Sequence, residues 1–215
     1  MIDPKFSRGE YWLLETAVTL GIPISPLLLS PSLDQAFNKP GHGMDRRLLE
    51  AALTVLTERG LINLYHFQSN SNETQPATVR EIASGLSGES RAEHLYYNLS
   101  AEGGANWEAF ACPKWDRFVD QTTSYEDDGT ELHVAFAPNR TLLQRIFDGL
   151  NYVRVFPKPE TVRWTEVSPW QATYWKELPV GCRVEFKSAP QESINWDDVP
   201  LSYYWISRPR WYSWA

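Results

Sequence analysis

The stretch 95-LYYNLSAEGGANWE-108 decides the fold. Its first residues alternate, with Leu95, Tyr97 and Leu99 on one side and Tyr96 and Asn98 on the other, the period of a strand with one buried face. Ser100 then breaks the alternation as a helix cap, and Glu102 falls in the first turn, at the positive end of the helix dipole. A strand that runs directly into a capped helix implies a mixed, α+β domain.

Upstream, Ser7 and Glu10 have capping-box spacing, and Leu14, Ala17 and Val18 follow at helical intervals, until Gly21 and Pro23 end the helix. Ser32 and Gln35 repeat the spacing, with Leu33, Ala36 and Phe37 giving a short apolar turn. The strongest local signal is 45-DRRLLEAALTVLTERGLINLYHF-67. Asp45 caps a helix whose apolar face is Leu48, Leu49, Ala52, Leu53 and Leu56. Gly60 suits the left-handed position after the helix, and Leu61 then folds back on Leu56 as in a Schellman motif. A strand, LINLYHF, follows without a pause.

The order helix, short helix, longer helix, strand, long connector, strand, capped helix resembles the winged-helix superfamily, as in the MarR and PadR types of regulator. LLEAALTVLTERGLINL and YYNLSAEGGANWE carry the resemblance, which covers roughly residues 8–119. It implies that residues 61–67 and 94–99 are the paired arms of a wing and that Trp107, Phe110 and Ala111 pack the last helix on the bundle. It also implies that the long helix faces DNA, with Arg46 and Arg47 as candidate phosphate or guanine contacts. Two features depart from the family. The connector from Gln68 to Ala92 is too long for a hairpin loop, and within it TVREIASGL, with Thr78 and Glu81 at capping-box spacing, predicts an inserted helix. The charge also opposes phosphate binding: residues 1–120 carry ten Lys and Arg against fifteen Asp and Glu, and Asp45, Glu50 and Glu58 accompany the two arginines. The alternative for this face is an ordinary solvated surface.

Residues 121–130, within DQTTSYEDDGTE (120–131), read as an acidic linker between a domain at 1–120 and a second at 131–215. The adjacent acids Glu126, Asp127 and Asp128 read as a solvated charge run rather than a metal site. Beyond the linker, ELHVAFAP predicts a strand, NRTLLQRIFDGL a helix, and YVRVF, TVRWTEV, ATYWKEL, CRVEFKS and LSYYWIS further strands, separated by prolines and glycines. This is a small, mostly antiparallel α+β domain. Seven of the ten tryptophans lie in it, which makes the aromatic tail the natural place to look for a partner surface. Trp211 and Trp214, with Arg208 and Arg210 for cation–π contacts, are the candidate partner-binding residues; the alternative is that the tail wraps the domain and that Tyr203 and Trp205 form a closing strand.

The chain of 215 residues has no apolar run long enough to span a bilayer and no signal-peptide pattern at its amino terminus. Cys112 and Cys182, without partner spacing, suit reduced thiols in the cytoplasm. There is no phosphate-binding glycine loop and no serine elbow. His42, His66, His94 and His133 are scattered; His66 and His94 are candidate cross-strand neighbours but too few for zinc. These observations give the expectation of a non-enzymatic, cofactor-free regulatory or protein-interaction protein that meets a protein partner or itself. The alternative is a DNA-binding regulator whose second domain senses a ligand or dimerises.

Overall fold

The computed structural model describes residues 6–28, 40–68, 73–87, 94–190, 199 and 211–212. The fold is α+β and divides into two compact units: Met1–Phe110 with Thr173–Trp175, and Ala111–Ala172 with Lys176–Ala215.

In the first unit, α1 (Arg8–Thr16) opens with the expected capping box: Glu10 N–H donates to Ser7 Oγ (3.2 Å) and Ser7 N–H to Glu10 Oε2 (2.7 Å). The helix ends at Thr16, before Gly21, and the chain leaves it to form β1 (Ile22–Pro23). Pro23 is tolerated because β1 is an edge strand. The short helix expected around Ser32–Phe37 lies outside the described residues.

The long helix α2 (Arg46–Glu58) is capped by Asp45, whose Oδ1 accepts the Leu48 N–H at 2.8 Å. It ends in the predicted Schellman motif: Gly60 N–H donates to Thr57 O and Leu61 N–H to Leu56 O, both at 2.9 Å, with Gly60 at φ +68°. Leu49, Leu53 and Leu56 are buried, but Leu48 is 56% exposed, so the expected apolar face is narrower by that residue. Strands β2 (Ile62–Gln68) and β4 (His94–Leu99) pair antiparallel from Ile62 opposite Leu99 to Phe67 opposite His94, as expected. His66 therefore faces Leu95, and the expected pairing of His66 with His94 gives way to this register. Between them lie β3 (Glu73–Pro76) and the inserted helix α3 (Ile82–Ser87), the latter preceded by the Thr78/Glu81 capping box. The sheet order is β1-β4-β2-β3.

The opening stretch folds as its pattern implies. Leu95, Tyr97 and Leu99 are buried, and Ser100 Oγ accepts the Gly103 N–H (2.9 Å) to cap α4 (Ala101–Ala111). The two glycines lie where the backbone comes closest to its neighbours. A Cβ on Gly103 would lie 1.8 Å from the Leu61 carbonyl oxygen, and Gly104 lies under the Trp175 ring. Trp107 is fully buried, whereas Phe110 is 43% exposed and touches Tyr11 at the edge of the core. Thr173–Trp175 completes this unit from far along the chain. Tyr174 Oη donates to Ala17 O (2.5 Å) and accepts the Leu99 N–H (2.6 Å), and Trp175 Nε1–H donates to Val18 O (2.8 Å).

In the second unit the expected linker is structured. Residues 120–137 form an antiparallel hairpin, β5 (Asp120–Tyr125) and β6 (Glu131–Ala137), turning at Asp128-Gly129. The division between units falls instead at residue 111. Polar composition misleads here because β5 is exposed along its whole length and needs only backbone pairing. The hairpin joins β10 (Gly181–Ser188) and β7 (Arg163–Val167) in the order β5-β6-β10-β7. Helix α5 (Arg140–Asp148), capped by Asn139, covers one face through Leu143 and Ile146, over Ala137, Val184 and Phe186. Phe118, Trp170 and Phe136 form an aromatic cluster of their own. The expected strand YVRVF is a single 3-10 turn, Leu150–Val153, and ATYWKEL supplies only β9 (Glu177–Leu178), which pairs with β8 (Trp170–Gln171). The LSYYWIS expectation lies outside the described residues.

Candidate functional site

The long helix α2 is the first place to look, since the resemblance offers it to a partner. Its two arginines have different surroundings. Arg46 Nη2 donates to the Ala83 carbonyl (2.9 Å) and to Ser87 Oγ (2.6 Å), holding the inserted helix α3 against α2. One guanidinium nitrogen, Nη2, is thus engaged with α3, while the Arg46 side chain stays exposed. Arg47 is exposed. A third cation at the far end of the helix, Arg59, lies over the Phe6 ring (5.1 Å) and 3.9 Å from Glu10. Lys39 lies outside the described residues. Beside Arg47 the helix exposes an apolar strip at i, i+3 and i+7: Leu48, Ala51 and Val55, with Leu48 and Val55 56% and 40% exposed. The sequence contained this strip, but Leu48 was assigned to the core because its neighbour Leu49 continues the same hydrophobic run.

The aromatic tail was the second candidate. Trp211 is half-buried, with its ring 4.9 Å from Trp115 and 4.7 Å from Phe118, and its carbonyl accepts the Lys114 N–H (2.5 Å). It packs within the second unit, the arrangement of the alternative in which the tail wraps the domain. Trp214, Arg208 and Arg210 lie outside the described residues.

The structure also assembles a serine and a histidine that the sequence did not connect. His133 Nε2 lies 2.9 Å from Ser188 Oγ, and Thr123 Oγ1 lies 3.1 Å from Nδ1. Glu131 Oε2 approaches Nε2 at 3.4 Å. The direction of the hydrogen bonds decides what this group does. Ser188 Oγ donates its proton to Ala189 O (2.8 Å), so it accepts from His133 Nε2–H, and Nδ1 accepts from the Thr123 hydroxyl. An activated nucleophile needs the opposite polarity, with the serine proton directed at the imidazole. Ser188 is fully buried, and burial pushes the His133 pKa down, which keeps the ring neutral. The group is a polar seam across β5, β6 and β10.

Two more histidines, His42 and His66, are tied down in similar ways. His42 accepts the Met44 N–H at Nδ1 (2.9 Å) and donates from Nε2 to Leu27 O (2.7 Å). His66 Nε2 meets Glu81 Oε2 at 2.7 Å. This bond and those from Thr78 lower the Glu81 carboxyl to about 2. Glu126 and Asp128, from the acidic run, bracket Lys187 Nζ at 3.2 and 3.3 Å. Both cysteines are free thiols, and among the described residues no three His, Cys, Asp or Glu side chains lie close enough to hold a metal ion. No helix among the described residues is long and apolar enough to cross a membrane.

No family model matches the chain, and neither the curated proteins nor the solved structures contain a match to it.

Proposed function

We propose that the protein is a non-catalytic regulatory or protein-interaction protein, acting in the cytoplasm, built on a winged-helix-like module that makes its contacts through α2. The observation that carries this reading is the composition of the α2 surface. Arg46 is committed to α3, while Leu48, Ala51 and Val55 are offered to solvent beside Glu50 and Glu58. An apolar strip between carboxylates suits a protein surface better than a phosphate backbone. The winged-helix-like reading is supported by the order α1, β1, α2, β2, β4, α4 and by the β2–β4 pairing that closes the wing. The two free thiols favour a reducing compartment.

The occupant we assign to the strip is the same strip on a second copy, an isologous contact. Sedimentation velocity on the full chain tests it. Association that Leu48→Asp/Val55→Asp abolishes is the expected result, and a monomer at every concentration would reject it. A labelled random duplex titrated at about 150 mM salt, followed by fluorescence anisotropy, tests the DNA alternative. No binding is expected; micromolar affinity with a steep salt slope, lost in Arg47→Ala, would establish the protein as a DNA-binding regulator instead.

A further inference from the structure

Helix α5 does not cover the sheet of the second unit completely. At its amino-terminal end a cavity of about 360 Å³ opens between the Asn139–Arg140 turn and the strands β7 and β10. Trp164 and Glu166 are two apart on β7 and so lie on the same face of the sheet as each other. Cys182 on β10 is the strand partner of Glu166, and Val180 closes the rim. The Arg140 guanidinium lies over the Trp164 ring at 4.8 Å, which holds the cation at the cavity wall.

The charges in this cavity are unspent. Neither Arg140 nor Glu166 makes a hydrogen bond or an ion pair through its side chain with any described residue, although both line the same space. The other arginines in this part of the sheet are engaged: Arg163 donates to Glu160 O and Val162 O, and Arg183 pairs with Glu185. The first turn of α5 adds to the Arg140 side of the site. The Asn139 side chain takes the Leu142 N–H, and the Arg140 N–H stands at the positive end of the helix dipole. One wall therefore attracts an anion and the opposite strand a cation, with an aromatic ring, Val180 and Pro138 between them.

We infer that this cavity binds a free α-amino acid with an apolar or aromatic side chain. The ligand carboxylate pairs with Arg140, its ammonium with Glu166, and its side chain lies against Trp164 and Val180. The volume is at the low end of the roughly 300–1,000 Å³ usual for small-ligand sites, which suits an amino acid and is small for a nucleotide. A zwitterion pairs with both groups at once, whereas a simple carboxylic acid or amine pairs with only one. The site lies wholly in the second unit and is independent of the function proposed for α2.

Isothermal titration of the full chain with L-phenylalanine and L-leucine, and with 3-phenylpropionate and phenethylamine as single-charge analogues, tests the inference. L-Phenylalanine is expected to bind with Kd of about 1 mM or tighter, and each analogue at least about tenfold more weakly. Arg140→Gln is expected to weaken phenylalanine and phenylpropionate without affecting phenethylamine. Glu166→Gln is expected to weaken phenylalanine and phenethylamine without affecting phenylpropionate. Both side chains are exposed, so both variants should keep the parent melting temperature in the absence of ligand. No binding of either amino acid up to about 10 mM would overturn the inference, as would an analogue that equals phenylalanine or an affinity that neither substitution changes.

Discussion

Gly103→Ala distinguishes a close backbone contact from an ordinary helical glycine. In a free helix interior this change stabilises by about 1 kcal/mol, because alanine has the better helix propensity. Here the added Cβ would stand 1.8 Å from the Leu61 carbonyl oxygen and 2.7 Å from its carbon, and both atoms are backbone, with no side chain to swing aside. Relief requires α4 to move away from the end of α2. That movement strains a chain of three bonds: Ser100 N–H to Leu61 O (3.0 Å), Ser100 Oγ to Gly60 O (2.5 Å) and Gly103 N–H to Ser100 Oγ (2.9 Å). Overpacking costs about 1–3 kcal/mol and loss of the cap about 1 kcal/mol. Weakening the backbone bond adds about 1 kcal/mol, so the net destabilisation should be about 2–4 kcal/mol after the propensity gain is subtracted. Urea unfolding followed by circular dichroism reads the loss, with amide exchange at β2 and β4 assigning it to the first unit. Gly60→Ala provides the contrast. At φ +68°, with nothing within 4 Å of its Cβ, it should cost only the conformational term, about 1 kcal/mol. If Gly103→Ala is neutral or stabilising, or no worse than Gly60→Ala, the close approach of α4 to Leu61 is wrong.

Tyr174→Phe should destabilise the first unit by about 1–3 kcal/mol, since it strands the Ala17 carbonyl and the Leu99 N–H. An unchanged melting curve would show that residues 173–175 are not part of that unit. The hydrogen bonds from His66 and Thr78 hold the Glu81 carboxyl at about 2, below the ordinary glutamate range, so its contribution is complete above the unfolded pKa and disappears as pH falls towards 2. Amide protection factors in α3, taken relative to the intrinsic exchange rate at each pH, should therefore fall between about pH 5 and 2, and the Glu81→Gln variant should lack this step. Trp211→Ala should lower the melting temperature of the second unit, because Trp211 packs on Trp115 and Phe118, and an unchanged melting curve would refute that packing.

What the sequence determined by itself was set at fixed short offsets. The Ser7/Glu10 and Thr78/Glu81 boxes, the Asp45 and Ser100 caps and the Gly60 stop are hydrogen bonds between residues a few positions apart, and each formed where its spacing placed it. The alternation of Leu95, Tyr97 and Leu99 likewise identified the buried face of β4, because a strand repeats every two residues. The tertiary structure decided whatever depends on which distant surfaces meet. It tied Arg46 to Ala83, exposed Leu48, and brought Thr173–Trp175 to Ala17, Val18 and Leu99. It also made an apparent acidic linker into β5 and the turn that follows it, and set Arg140, Trp164 and Glu166 around one cavity. None of these partners stands at a characteristic sequence separation, so no local pattern encodes them; packing selects them once the helices and sheets have formed.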